Sequence, residues 1–347
     1  MTIALDIGTS SLRSLRRRGE RLIGRNCRAL YAVLPDSSQR RSVLDQLAVS
    51  YSVSENNLIL TCDAAADYSR LFQVPCLRLL PEGRLPANNP PARQIVSWLI
   101  DRLLPEPADS QTVCCLTLPG PKRSDSFTSL PQSELLTHLV RLRGYRPVIL
   151  NPARAALFAE LGSESFTGIV ICFGAGTTEM VLGRQGVEVA SHTVSIGGDW
   201  LDQALAEADP QFAGDASGND GLYLDDVTLW KETFGRSILH PRTDREAFLA
   251  DCYRDMIEQV LEEVQQALLT SPLALSLPHP ISLILCGGTA RVRGFGNLFQ
   301  QVLADTSFPV RVKKVRLVTD SDYIVARGCL IAAELEQRAA LDERRAA

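Results

Sequence analysis

The sequence predicts an α/β protein built from two related halves. Short apolar runs of strand type alternate with segments whose apolar residues recur at helical spacing. A motif at residues 3–12 returns at residues 170–182, where an apolar run again reaches glycine and small hydroxyl residues before a second apolar run. At about 150 residues per domain, the chain of 347 residues also has room for two domains. We therefore expect a duplicated fold with a cleft where the halves meet.

The composition is that of an ordinary folded protein. Apolar residues make up 45% of the chain and charged residues 22%, which excludes an intrinsically disordered chain. Lys and Arg number 36 against 40 Asp and Glu, and the net charge of −4 argues against a nucleic-acid-binding protein with a basic surface. We expect no nucleic acid among its partners.

Cysteine usage and the lack of long apolar runs indicate the cytoplasm. The nine cysteines are an odd number, are scattered through apolar segments and include no Cys-x-x-Cys pair, as is usual in a reducing compartment. The chain opens without a basic segment ahead of an apolar stretch, and no apolar run approaches the roughly 18 residues of a membrane span. The sequence predicts no transmembrane segment and a protein that is cytoplasmic, or peripheral at the inner face of the membrane.

The first predicted domain covers residues 1–150 together with residues 325–347. A small insertion at about residues 27–78 shows less regular patterning. The regular elements alternate between strand and helix, namely the hairpin at 3–12, a buried strand at 112–118, a helix at 132–143, a strand at 146–150 and a final helix at 323–338.

The second predicted domain covers residues 151–324, with a small insertion at about residues 205–245. Within it, residues 209–226 are rich in Asp, Gly, Ala and Ser and are expected to form an exposed loop. The regular elements again alternate, namely a helix that opens at 151–158, the hairpin at 170–182, a strand at 188–194, a helix that opens at 196–202, a long amphipathic helix at 246–269 and a buried strand at 281–286.

Two glycine-rich turns contain the residue types that binding of a phosphate chain requires. Backbone N–H groups approach phosphate closely only where glycine and small side chains permit a tight turn. Two such hairpins that face each other can hold a phosphate chain from both sides. The candidate residues are Gly8, Thr9, Ser10 and Ser11 in the first hairpin and Gly174, Ala175, Gly176, Thr177 and Thr178 in the second.

Two further features extend this candidate site. After the buried strand at 281–286, Gly287, Gly288 and Thr289 let the backbone approach a flat base or a ribose. Asp6 ends the first strand, where a carboxylate can hold Mg²⁺ through water molecules.

These motifs, in this order, resemble the superfamily of actin, the sugar kinases and the ATPases of the heat-shock chaperones, and they are most similar to bacterial MreB. The two hairpins look like its phosphate-binding hairpins, and Gly197, Gly198 and Asp199 match the helix start that follows the second hairpin in MreB. Residues 283–295 resemble the adenosine-binding motif. The two helices that cross between the domains are matched by residues 151–156 and 325–328. The resemblance covers nearly the whole chain and implies the duplicated, ribonuclease-H-like actin fold.

The resemblance also implies cofactors and partners. ATP or ADP, with Mg²⁺ at Asp6, is expected in the cleft between the domains. Lys231 and Glu232 resemble the pair that covers the adenosine, although a solvated surface pair is the alternative. Self-association into filaments is expected, with a cytoskeletal or cell-shape role and other cytoskeletal or membrane-associated proteins as partners.

One departure from the resemblance affects hydrolysis. The chain has Cys172 where the family has Asp, and a neutral thiol cannot replace a carboxylate as a ligand of Mg²⁺. The water-positioning side chain is expected at Gln132, with Glu134 next, while a purely helix-starting role of Gln132 after Pro131 is the alternative. The sequence therefore predicts an ATP-binding protein whose hydrolysis is weak or absent.

Two alternatives remain open. A non-polymerising adaptor of the FtsA or PilM kind would bind ATP in the same fold and hold partners at a membrane. Residues 330–347 contain few large apolar side chains, so we expect them not to form an amphipathic membrane helix of the FtsA kind. Arg16, Arg17 and Arg18 lie near the expected tip of the first hairpin and are either solvated or in contact with anionic lipid or a partner.

Overall fold

The computed structural model describes residues 2–86, 88–107, 109–118, 130–208, 220–277, 279–319 and 322–346. Strands lie at β1 (Ile3–Ile7), β2 (Ser11–Arg18), β3 (Arg21–Arg28), β4 (Leu30–Pro35), β5 (Ser52–Ser54), β6 (Asn57–Thr61), β7 (Leu77–Arg78), β8 (Val113–Thr117), β9 (Arg146–Leu150), β10 (Gly168–Phe173), β11 (Thr178–Arg184), β12 (Val187–Val194), β13 (Ile281–Cys286) and β14 (Val312–Leu317). Helices lie at α1 (Ser38–Gln46), α2 (Asp63–Tyr68), α3 (Pro90–Leu103), α4 (Leu130–Leu142), α5 (Pro152–Glu160), α6 (Gly198–Ala208), α7 (Asp220–Glu232), α8 (Asp244–Leu269), α9 (Pro272–Leu275), α10 (Phe295–Asp305) and α11 (Ile324–Ala346).

Two five-stranded sheets share one topology, which confirms the predicted duplication. The strand order is β3-β2-β1-β8-β9 in the first sheet and β12-β11-β10-β13-β14 in the second. In both sheets the central strand pairs antiparallel with its hairpin partner and parallel with the strand that returns after a crossover. Each half is therefore an α/β unit of the same design.

The central strands are buried on both faces because helices cover each sheet. Every residue of β1, β8, β10 and β13 is buried. Cys114 and Cys115 are neighbours on β8, and they belong to two different apolar clusters because successive side chains of a strand point to opposite faces. This two-sided burial explains the unbroken apolar runs of the sequence.

The segment with less regular patterning contains a third sheet. Its strand order is β5-β6-β4-β7, and a separate apolar cluster that includes Leu34, Leu44 and Leu58 forms its core. The strands are two to six residues long. Runs this short give little alternation in a sequence, so the regular fold of this segment was not visible there. The domain boundaries drawn from the sequence stay a prediction.

Helix α7 corrects the expectation of a loop at residues 209–226. Residues 220–232 are helical, and Val227 packs in the core of the second half beside the partly buried Trp230. This burial outweighs the loop-like composition, while residues 209–219 lie outside the described ranges. The long helix agrees closely with its prediction, and the hydroxyl of Thr243 caps α8 by accepting a hydrogen bond from the Glu246 amide at 3.2 Å.

Helices α5 and α11 join the two halves. α11 packs on β1 and β8 of the first sheet, α5 packs on β10 and β11 of the second, and the two helices contact each other. A Cβ atom at Gly328 would lie 1.6 Å from the carbonyl oxygen of Ala155, so the helices can approach this closely only with glycine at that position. Nearby, Glu160 of α5 forms ion pairs with Arg316 of β14 and Arg327 of α11. In the described part of the chain, no helix is both long and apolar enough to span a membrane.

Candidate functional site in the cleft between the halves

A cleft of about 590 Å³ lies where the two halves meet. The turns after β1, β10 and β13 line it, together with the start of α6. These turns follow the carboxyl ends of central strands, which is where the loops of α/β sheets commonly form binding sites. Residues of α7 and the first residues of α11 line further parts of its wall.

The two hairpin turns contain the same hydrogen bond at the same place. The amide of Gly8 donates to the Ser11 carbonyl at 3.1 Å, and the amide of Gly174 donates to the Thr177 carbonyl at 2.9 Å. Thr178 is the one predicted hairpin residue that does not line the cleft, because its hydroxyl donates to the Ile196 carbonyl at 2.7 Å. The predicted residues that do line the cleft are Gly8, Thr9, Ser10, Ser11, Gly174, Ala175, Gly176 and Thr177.

The start of α6 is fixed to the second hairpin. The amide of Gly198 donates to the Gly174 carbonyl at 3.1 Å, and the amide of Asp199 donates to the Ala175 carbonyl at 2.8 Å. A Cβ atom at Gly197 would lie 2.5 Å from the Ala175 oxygen, so Gly197 supports this contact and does not itself line the cleft. Gly198 and Asp199 do line it.

The turn after β13 is connected to the same hairpin. Gly287 has φ of +100°, and a Cβ atom there would lie 2.1 Å from the Phe173 oxygen, so only glycine fits. The hydroxyl of Thr289 donates to the Gly174 carbonyl at 2.7 Å. A Cβ atom at Gly288 would meet nothing within 4 Å, so this position faces open space in the cleft. The three turns thus form one connected cradle.

Asp6 is a buried carboxylate at the cleft, only 6% exposed. The hydroxyl of Thr117 donates to its Oδ1 at 2.9 Å and accepts a hydrogen bond from the Ile7 amide at 2.9 Å. Nη1 of Arg13 lies 3.5 Å from Oδ2. Burial raises the pKa of Asp6, while Arg13 and Thr117 act in the opposite direction. The carboxylate is therefore held in one orientation, where it can offer oxygen to a cation.

Cys172 lines the cleft as a neutral thiol. It lies beside Cys286 on the parallel strand β13 and opposite Glu179 on the antiparallel strand β11. Contact with the Cys286 thiol and burial raise the pKa of Cys172 well above its usual value. Among the described residues, no group of three His, Cys, Asp or Glu side chains could hold a metal ion. Mg²⁺ would therefore be held at Asp6 mainly through water and phosphate oxygens, which is a common mode for this ion.

Lys231 is held at the cleft wall by a buried ion pair. Its Nζ lies 2.6 Å from Oδ1 of Asp202 and also donates to the Gly198 carbonyl. The hydroxyl of Thr228 donates to Oδ2 of Asp202 at 2.8 Å. The side chains of Lys231 and Asp202 are 9% and 3% exposed, so Lys231 is not part of a solvated surface pair. Glu232 lines the cleft as well, and the contact of this residue and Lys231 with adenosine stays a prediction.

Gln132 and Glu134 are not among the residues that line the cleft. Oε1 of Gln132 accepts a hydrogen bond from the Leu85 amide at 3.0 Å, and its Nε2 donates to the Gly83 carbonyl at 3.2 Å. Both ends of the Gln132 amide are thus bound to one loop, whose Gly83 does line the cleft. Glu134 is exposed. A water-positioning role stays a prediction, and it requires the Gln132 amide to leave this loop.

Two arginines belong to the site although the sequence did not single them out. Arg13 lies directly opposite Asp6 in the register of β1 and β2. The alternation of side chains along a predicted hairpin is therefore a sequence signal that could have placed Arg13 and Asp6 on one face. Nη2 of Arg78 lies 2.6 Å from Oδ1 of Asp199 and connects the small sheet with α6 across the cleft. The pKa of Asp199 is raised by burial and lowered by Arg78. Nothing in the local sequence indicates this second pairing.

Two sheets of equal topology around a cleft with paired glycine hairpins define an actin-like fold. The double helical filament of MamK matches with a TM-score of 0.68 and 16% identity, over 96% of this chain and 99% of that one. MreB5 of Spiroplasma citri bound to ADP matches with a TM-score of 0.67 and 16% identity, over 98% of each chain. A non-polymerising MamK mutant bound to AMPPNP matches with a TM-score of 0.54 and 16% identity, over 96% and 98%. These likenesses show the fold.

The chain belongs to the Volactin family, whose sequence profile matches residues 1–333. None of the curated proteins compared with the chain gives a significant match.

Proposed function

We propose that this Volactin-family protein binds ATP with Mg²⁺ in the cleft and self-associates into filaments with a cytoskeletal role in the cytoplasm. The observation that carries the proposal is the pair of equivalent hairpins, since the turns at Gly8 and Gly174 line one cleft from its two sides. The ADP and AMPPNP of the similar MreB5 and MamK structures support nucleotide binding, and the MamK filament supports self-association.

The phosphates would be held between residues 8–11 and 174–177, with the ribose and base near residues 287–289. Asp6 would hold Mg²⁺ through water, and the ion would supply positive charge to the phosphates. Gly288 leaves open space beside the expected position of the ribose. A larger residue at position 288 would put its side chain into that space.

Hydrolysis in this proposal is slow or absent, and the nucleotide acts mainly as a structural ligand. The thiol of Cys172 offers no oxygen to the metal, and the amide of Gln132 is bound to the loop at Gly83 and Leu85. Phosphoryl transfer depends on charge stabilisation and on positioning of the attacking water, so both features lower the expected rate.

The test combines thermal unfolding with sedimentation of the purified chain. ATP with Mg²⁺ at about 100 times its dissociation constant should stabilise the protein by about 2.7 kcal/mol. Asp6→Ala should remove the Mg²⁺-dependent part of the shift, whereas Asp67→Ala, at an exposed acid on α2, should leave it intact. An unchanged Mg²⁺-dependent shift in Asp6→Ala contradicts the metal site.

Sedimentation separates the filament from the adaptor alternative. Wild-type protein with Mg²⁺ and ATP should pellet above a critical concentration and remain in the supernatant below it. The adaptor alternative predicts that the protein binds ATP and pellets with liposomes, but forms no pellet by itself at several times its physiological concentration. That result supports the FtsA-like or PilM-like adaptor and contradicts the filament.

A further inference from the structure

The charges of the chain are unevenly divided between its two parts. Residues 1–150 carry 19 Lys and Arg against 13 Asp and Glu, whereas residues 151–347 carry 17 against 27. The small net charge of −4 therefore combines an electropositive first part with an electronegative second part. Such an asymmetry steers association between surfaces of opposite sign.

The positive charge is concentrated on the hairpin of β2 and β3. Residues 13–28 contain seven arginines and one glutamate. Arg18 is opposite Arg21 and Arg16 is opposite Ile23 in the antiparallel register, so these side chains lie on one face. Arg25 is on the same face and donates to the carbonyl of Arg102 in α3 at 2.7 Å. We refer to Arg16, Arg18, Arg21 and Arg25 as the arginine face.

Among the residues that the structure describes, the arginine face has no acidic partner. Other arginines of the hairpin do have one, namely Arg13 with Asp6, Arg17 with Glu334 and Arg28 with Asp63. Over the described ranges, no ion pair involves a member of the arginine face. Arg18, Arg21 and Arg25 are exposed to solvent, so their charge is available to a partner.

The negative charge of the second part includes a regular stripe on α8. Asp251, Asp255, Glu258 and Glu262 are spaced by four, three and four residues, so they lie on one face of the helix. All four are exposed, and none forms an ion pair with any residue that the structure describes. At 1.5 Å per residue the stripe is about 16 Å long. We refer to these four residues as the acidic stripe; Arg254 is the basic residue within its span.

The two surfaces match in sign and in length. From Arg21 to Arg25 the strand β3 extends about 14 Å, close to the length of the acidic stripe. We propose that the arginine face of one copy of the chain docks on the acidic stripe of α8 in the next copy. Because the two surfaces are different and lie on different halves, the contact is heterologous and propagates an open assembly if its rotation does not close.

This inference rests on the proposed self-association and names the surfaces that carry it. A second copy is favoured over an anionic membrane because every copy presents the acidic stripe at the same concentration as the arginine face. A membrane of anionic lipid would also repel the acidic second part of the chain.

Charge reversal on each surface tests the contact. The first variant combines Arg18→Glu with Arg21→Glu, the second combines Asp255→Lys with Glu258→Lys, and the third carries all four changes. In about 50 mM salt, each of the first two should raise the critical concentration about tenfold, and the third should return it to within about twofold of wild type. In about 500 mM salt the difference between the variants and wild type should shrink, because exposed charges are screened.

Controls separate this contact from general effects of charge and from failure of the proposed function. Arg293→Glu with Lys313→Glu makes the same change in net charge as the arginine reversal, at exposed positions elsewhere, and should assemble like wild type. Thermal unfolding of every variant checks that it folds. Wild-type protein that never associates overturns self-association and this contact together, whereas wild-type assembly that both reversals leave unchanged overturns the contact alone.

Vesicles of phosphatidylcholine and phosphatidylglycerol test the lipid alternative. The proposed contact predicts that the arginine reversal weakens assembly in the absence of vesicles. A variant that loses vesicle binding but assembles like wild type overturns the contact and assigns the arginine face to lipid.

Discussion

At Asp6, burial and a neighbouring cation act in opposite directions on one carboxylate. Burial raises its pKa, and Arg13 at 3.5 Å favours the ionised form. Glu179 is a second buried acid that lines the cleft, directly opposite Cys172. The neutral thiol of Cys172 thus adds no further negative charge near these two acids. A neutral thiol avoids the repulsion that a third buried carboxylate would cause when no metal ion is bound. It also leaves Mg²⁺ with few protein ligands.

Replacing Cys172 with Asp should have opposite effects with and without the ligand. Without Mg²⁺ we expect a loss of about 1–3 kcal/mol in the free energy of unfolding, because a further carboxylate is buried beside Glu179 and Asp6. With Mg²⁺ and ATP, much of this loss should be recovered and ATP hydrolysis should rise. Urea unfolding and phosphate release measure the two effects.

Cys172→Ser is the matched control, since it changes the side chain without adding charge. It should show neither the Mg²⁺-dependent recovery nor the gain in hydrolysis. Wild-type protein that already hydrolyses ATP as fast as Cys172→Asp contradicts the assignment of the slow step to this position.

Among the elements, the packing of α5 against α11 sets how the two sheets are joined. The carbonyl of Ala155 comes so close to Gly328 that no side chain fits between the helices. Close packing of this kind resists added volume, because neither helix can move without disturbing the sheet beneath it. The ion pairs of Glu160 with Arg316 and Arg327 hold the same region.

Gly328→Ala should therefore destabilise the protein despite the higher helix propensity of alanine. We expect a loss of about 1–3 kcal/mol in the free energy of unfolding, from overpacking at the Ala155 carbonyl. Gly296→Ala in α10 is the control, since its Cβ would lie 3.5 Å from the Leu317 side chain, an ordinary contact. That variant should be neutral or stabilised by up to about 1 kcal/mol. Equal urea-unfolding curves for the two variants contradict the proposed role of the close approach.

For the whole molecule, two ion pairs connect the first half with α6 and α7 of the second, in addition to the packing of α5 against α11. We refer to this side of the cleft as its mouth. Arg78 of the small sheet pairs with Asp199 of α6, and Arg70 pairs with Asp226 of α7. Both ion pairs are partly exposed, so each contributes modestly and is weakened by salt. Together they favour an arrangement in which the small sheet lies close to α6 and α7.

Arg78→Gln should speed the release of nucleotide. With one of the two bridges across the mouth removed, we expect the dissociation rate of a fluorescent ATP analogue to rise about two- to fivefold in low salt. Arg41→Gln is the control, because it breaks the pair between Arg41 of α1 and Asp36 of the loop before it, and leaves the Arg78 pair intact. A release rate that responds equally to both substitutions, or to neither, contradicts a role of Arg78 in holding the cleft closed.

The sequence by itself determined the duplicated α/β fold and the hairpin turns, because these depend on local patterns. Glycine and small residues at 8–11 and 174–177 specify tight turns. The alternation of side chains along the hairpin strands also puts Arg13 on the same face of the sheet as Asp6. The pairing of Arg78 with Asp199, the burial of Lys231 against Asp202 and the anchoring of Gln132 at the Gly83 loop were decided only by the tertiary structure. Partners separated by as many as 121 positions meet only when separate units pack, and no local pattern encodes that packing.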